Sequence, residues 1–130
     1  MKWERIYEVG IRQIDSEHKM IVQFINDLEL SLNKGNSERA TLLVLKNLTD
    51  YVKIHFKNEE KIMKELGFLE LSRHKRLHKS LVKQVSNILK DYKNGNPWSA
   101  KELIGFLQHW LVYHILEEDK KIGSLLKKAN

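Results

Sequence analysis

A chain of 130 residues, 42% hydrophobic and 31% charged, is long enough for one domain with one substantial core. It contains no cysteine, which excludes disulfides, thiolate zinc sites, iron–sulfur clusters and c-type haem attachment. The formal charge of +6 comes from lysines scattered along the whole length, dense only at 73–79 and 120–128, and reads as a solvated surface rather than a nucleic-acid site.

The opening residues, MKWERIYEVG, have no apolar run of the kind a secretion signal needs. Together with the lack of cysteine, that makes the cytoplasm the expected location. The longest uncharged run, Leu103 to Leu116, is too short to span a bilayer and suits a buried helix, so no membrane insertion is expected.

Residues 1–13 read as an extended arm broken at Gly10, with Trp3, Ile6 and Tyr7 packing on the body. Ile14, His18, Ile21, Ile25, Leu28 and Leu32 then step alternately by four and three. That is the inward stripe of a bundle helix over about 14–33. NKGNS at 33–37 ends it and supplies the turn and the next N-cap. A second helix over about 38–66 carries Thr41, Leu45, Leu48, Val52, His55, Glu59, Ile62 and Leu66, with Gly67 as its stop. A third over about 70–93 carries Leu71, His74, His78, Leu81, Val85, Ile88 and Tyr92, and NGNP at 94–97 breaks it. Ser99 with Glu102 forms a capping box for a fourth helix over about 99–118, whose stripe begins Leu103, Leu107, Trp110, His114.

After His114 this register fails, because it would turn Glu117 and Lys121 inward. The inward set becomes Ile115, Asp119, Ile122 and Leu126. Two readings are open: a wider turn near His114, or an end at Gly123 followed by a short C-terminal helix to about 128. No strand or hairpin signal appears. The expectation is all-α: one domain over 1–130, an antiparallel up-down-up-down four-helix bundle with an N-terminal arm.

In such a bundle the start of the first helix, the end of the second, the start of the third and the end of the fourth lie at one level. His18, His55, Glu59, His74, His78, His114 and Asp119 therefore converge. Each unsatisfied buried polar group costs about 1–3 kcal/mol, so the natural partner is a cation. One closed mononuclear site cannot use seven ligands. Two octahedral ions sharing both carboxylates can, with one further bridging oxygen and one position left open. Imidazole and carboxylate suit iron, manganese, zinc or copper, and spacing does not choose among them. His109 lies about 140° around its helix from His114 and reads as exposed. Glu60 reads as a surface residue and Met63 as core filler.

These segments resemble the hemerythrin family: IDSEHKMI around His18, HFKNEEKIM around His55 and Glu59, HKRLH at His74–His78, and WLVYHILEED around His114 and Asp119. The likeness runs from about Trp3 to Ile122. It implies a non-haem di-iron site with an oxo or hydroxo bridge. His74, His78 and His114 would hold the saturated iron, His18 and His55 the iron with the open position, and Glu59 and Asp119 would bridge. It further implies that dioxygen binds reversibly at the open iron as hydroperoxide, in a hydrophobic pocket formed by Ile21, Phe56, Trp110, Leu111 and Ile115. The implied role is oxygen carriage, storage or delivery, with a protein acceptor of oxygen as a further partner. The histidine-rich site, with no free carboxylate or tyrosine to place at the open iron, favours binding over an enzyme, and the lack of an exposed apolar stripe reads as a monomer. A di-iron redox enzyme, an oxygen or nitric-oxide sensor and an iron-homeostasis module are the competing functions.

Overall fold

The computed structural model describes residues 1–35 and 38–129, without the side chains of Glu38 and of 126–129. The N-cap expected at the end of NKGNS and the inward placing of Leu126 lie outside the described residues. The three- and four-residue apolar steps fold into α1 (Arg12–Asn33), α2 (Glu38–Glu65), α3 (Leu71–Lys93) and α4 (Ala100–Tyr113). After a six-residue π-helical turn (His114–Asp119), α5 (Lys120–Ala129) extends α4. α1 packs on α2 and α4, and α2 packs on α3. The result is an antiparallel four-helix bundle, with no strand among the described residues. No helix among them is long and apolar enough to cross a membrane.

The connection that sets the register of α2 against α3 is a Schellman stop. Gly67, at φ 68°, donates to the Lys64 carbonyl (3.1 Å), and the Phe68 N–H donates to the Met63 carbonyl (3.0 Å). A residue with a Cβ is disfavoured at that φ. At the head of α4, Ser99 Oγ accepts from the Glu102 N–H (3.1 Å) and donates to the Glu102 carboxylate (2.9 Å).

The arm contains a 3-10 turn, Arg5–Tyr7, and is tied down by Asp15. Its carboxylate accepts from the N–H groups of Val9 (2.7 Å) and Gly10 (3.1 Å). Trp3 and Tyr7 pack against the core, but Ile6 does not: it is 57% exposed. A 3-10 turn rotates successive residues by about 120°, so seating Tyr7 turns Ile6 to solvent.

The core has two apolar parts. The larger includes Ile21, Val52, Phe56, Leu81, Trp110 and Ile115. The smaller is built on Val9, Ile14, Met63 and Ile122. Along every helix the polar residues of the convergent level fall between the two.

Gly123 does not end the helix; α5 runs through it. It is a glycine for another reason. A Cβ there would overlap the carbonyl of Val9, so the arm seats its backbone directly on α5. Gly123→Ala is expected to destabilise the fold by about 1–3 kcal/mol, the usual cost of overpacking. Denaturant titration checks this; an unchanged midpoint would show that the arm is not held there.

Candidate metal centre

The π-helical turn explains the failed register. One extra residue in the turn lets His114 and Asp119, five apart, face the same way, while the Lys120 N–H reaches back to the Ile115 carbonyl. Ile115, Asp119 and Ile122 are buried, and Glu117 and Lys121 are exposed.

Three helices, α1, α2 and α3, and the π turn bring all seven predicted residues into one buried layer. They form two overlapping groups able to hold an ion: Glu59, His74, His78, His114 and Asp119, and His18, His55, Glu59 and Asp119. Both carboxylates divide their oxygens between the groups. Glu59 Oε1 lies 3.0 Å from His74 Nε2 and 3.0 Å from His78 Nε2, and Asp119 Oδ1 lies 2.9 Å from His114 Nε2. Glu59 Oε2 lies 3.2 Å from His55 Nε2, and Asp119 Oδ2 lies 2.8 Å from His18 Nε2.

These atoms suit a cation better than they suit one another. His18 Nε2, His55 Nε2, Glu59 Oε2 and Asp119 Oδ2, the donor atoms of the second group, are buried and make no hydrogen bond of proper geometry despite their closeness. In the first group, His78 Nε2 and His114 Nε2 face each other at 3.3 Å, where two lone pairs would repel. Five donors converge on one side and four on the other, counting the shared carboxylates once per side.

Three carboxylates join the site that the inward stripes do not reveal. Glu17 lies 2.8 Å from His55 Nδ1 and accepts from Asn58 at 2.8 Å. Glu60 is not a plain surface residue: its side chain is 23% exposed and lies 2.9 Å from His78 Nδ1. Each fixes a tautomer that turns Nε2 toward the centre. Glu118 is buried in the π turn and takes a forked pair from Arg73 at 2.7 and 3.0 Å. Met63 fills the smaller cluster, and exposed His109 stacks on Tyr113.

Burial opposes charge on His18, His55, His74 and His114, yet the carboxylates prevail. The Glu17 hydrogen bond and the closeness of the Glu59 carboxylate raise His55 from 6.5 to about 9. Hydrogen bonds to Asp119 and Glu59 raise His74 to about 9. The Asp119 charge does most to raise His114, to about 10. Glu59 is held well below the usual carboxylate range, against its burial, by the imidazoles of His114, His18, His55 and His74 that crowd it. Asp119 is held down as well, by His114 and His18, although burial and the Glu59 charge push it up. The lone pairs that hold these protons are the ones a metal ion would take, displacing the protons as it binds.

The expected pocket residues are all buried: Ile21, Phe56, Trp110, Leu111 and Ile115. Phe56 lies flat on His78, with centroids 3.8 Å apart, and Trp110 stacks beside His114 at 6.4 Å. Outside Trp110 and His114, a hollow of about 170 Å³ opens between α3 and α4, walled by Leu77, Leu81 and Phe106.

A sequence profile described as the Hemerythrin HHE cation binding domain matches residues 9–126. The chain is 33% identical over 117 residues to a bacteriohemerythrin of Pseudomonas aeruginosa, covering 90% of this chain and 75% of the relative. It is 33% identical over 112 residues to a bacteriohemerythrin of Methylococcus capsulatus, covering 86% and 85%. The crystal structure of a wild-type hemerythrin superposes with a TM-score of 0.89 at 31% identity, over 97% of each chain.

Replacing Glu17 with Gln keeps the shape but removes the anionic partner of His55; metal affinity is expected to fall about 10–100-fold. Competition with a chelator measures it, and equal affinity would leave Glu17 without a role. In the metal-stripped chain, the raised imidazoles contribute stability that is fully present below their unfolded value of 6.5 and is lost as pH rises through about 9 to 10. Its Tm is expected to fall over that window, while added metal, which replaces the protons, flattens the fall. A Tm rising from pH 7 to 10 would contradict this.

Proposed function

The chain belongs to the hemerythrin family, and from that membership we propose that it binds dioxygen reversibly at a non-haem di-iron centre. The observation that carries the reading is the division of Glu59 and Asp119 between two donor groups, one richer by a histidine than the other. His74, His78 and His114 would hold one iron, and His18 and His55 the other. Glu59 and Asp119 would be shared by both, with an oxo or hydroxo group completing the centre. The second group, with one imidazole fewer, would leave room for oxygen. A di-iron pair supplies the electrons and the open coordination position for dioxygen.

The protein's own part is positioning and exclusion. Glu17 and Glu60 hold His55 and His78 in one tautomer and one rotamer. Ile21, Phe56, Trp110, Leu111 and Ile115 exclude water from the layer, which protects bound oxygen from loss as a reduced product. Each donor group contains only the two shared carboxylates. Sites that activate oxygen for substrate oxidation are richer in carboxylate, so binding is favoured over turnover, and carriage, storage or delivery is the role.

Iron analysis is expected to give two irons per chain, and the reduced protein should develop a visible charge-transfer band with oxygen that disappears when oxygen is removed. One zinc per chain would overturn the dinuclear reading. Stopped-flow decay of the band to ferric protein with oxidation of an added substrate would overturn the carrier reading.

A further inference from the structure

A groove of about 440 Å³ lies between α2 and α3 at the level of the metal layer. Its rim carries four exposed lysines, Lys53 and Lys57 from α2 and Lys75 and Lys79 from α3. Among the described residues none of the four is in an ion pair. Each pair is spaced i,i+4, so like charges repel along both helices, a cost that an acidic surface laid over the groove would offset. The floor is the edge of the candidate centre itself. Phe56 and His78 line it, stacked on each other, and so does Glu60, bonded to His78 Nδ1 at 2.9 Å. On its other side His78 Nε2 meets Glu59 at 3.0 Å. A single side chain therefore separates the groove from the donor atoms.

We propose that this groove docks an acidic protein electron carrier, of the iron–sulfur or flavin class, that reduces the centre through His78. The proposal rests on the di-iron reading above. Each docking event oxidises one reduced carrier by one electron and converts one ferric ion to ferrous. Two events restore an oxidised pair; one proton taken up from solvent offsets one of the two electrons, so the net charge of the centre falls by one.

A small anion does not fit, because the one polar group on the floor besides His78 is the Glu60 carboxylate, which would repel it. Nucleic acid fits poorly, because the lysines are confined to little more than one turn of each of two helices. A small charged rim around an approach to a redox centre is what transient electron-transfer encounters use.

The test mixes oxidised, iron-loaded protein with a reduced small acidic [2Fe–2S] ferredoxin as the probe. The bimolecular rate is expected to fall with salt and, at low salt, to drop about 10-fold or more in the Lys53→Gln, Lys57→Gln, Lys75→Gln, Lys79→Gln variant. A control variant, Lys34→Gln, Lys46→Gln, Lys90→Gln, Lys101→Gln, lowers the formal charge equally, from +6 to +2 (6 − 4), at the other end of the bundle, and should keep most of the rate. Carbodiimide cross-linking, which needs no iron, should join the ferredoxin to the groove lysines. Equal rates in the two variants, or cross-links elsewhere, would overturn the docking site. So would a duplex oligonucleotide that loses binding in the groove variant while ferredoxin reduction is unchanged. Loss of the oxygen-dependent band with cross-links still confined to the groove would sink the oxygen reading and uphold the docking site.

Discussion

Two carboxylates with no solvent exposure, Glu59 and Asp119, set the terms for the rest of the molecule. A charge buried without partners is too costly to keep, and each of these also opposes the ionisation of the other. Five imidazoles offset the cost, and no single helix supplies enough of them. α1 brings one, α2 one, α3 two and the π turn one. Site and bundle are therefore one cooperative structure. The apolar clusters on either side of the layer gain from its registration, because Ile14 and Ile21 bracket His18 just as Val52 and Met63 bracket His55 and Glu59.

The helices and the inward residues were legible because burial on one face imposes a three- and four-residue step, and polar residues interrupting that step at a common level stand out. The failed register after His114 was legible too, but not its cause. Only the backbone decides between a widened turn and a break, and Gly123 looks like a break until Val9 is seen against it. Glu17 and Glu60 escaped for a geometric reason. They sit one residue beside an inward position, on the helix flank, where a charge usually meets water. An imidazole whose Nε2 points to the middle of a bundle must turn its Nδ1 toward such a flank, so flanking carboxylates on neighbouring helices are the signal to look for. Ile6 failed the other way: its apolarity suggested packing, and the local turn geometry prevented it.

The layer is approached from two sides that differ in chemistry. Between α3 and α4 the hollow outside Trp110 and His114 is lined by no lysine, arginine or carboxylate and suits a neutral molecule. Between α2 and α3 the lysine-rimmed groove ends on His78 and Glu60 and suits an acidic one. Both reach the first donor group. Arg73, forked onto Glu118, holds the start of α3 to the π turn near the same level.

The seat that Gly123 offers to Val9 ties the arm to a helix made more than a hundred residues later. A nascent chain emerging from the ribosome has its arm first and nothing for that arm to rest on until residue 123 has followed. Glu59 likewise waits for Asp119. A hairpin of α2 and α3 alone offers three of the five donors of the first group and two of the four of the second. Metal capture thus belongs to the last stage of biosynthesis, and a chain truncated before Asp119 would be left as an unmetallated, partly exposed core of the kind that proteases clear.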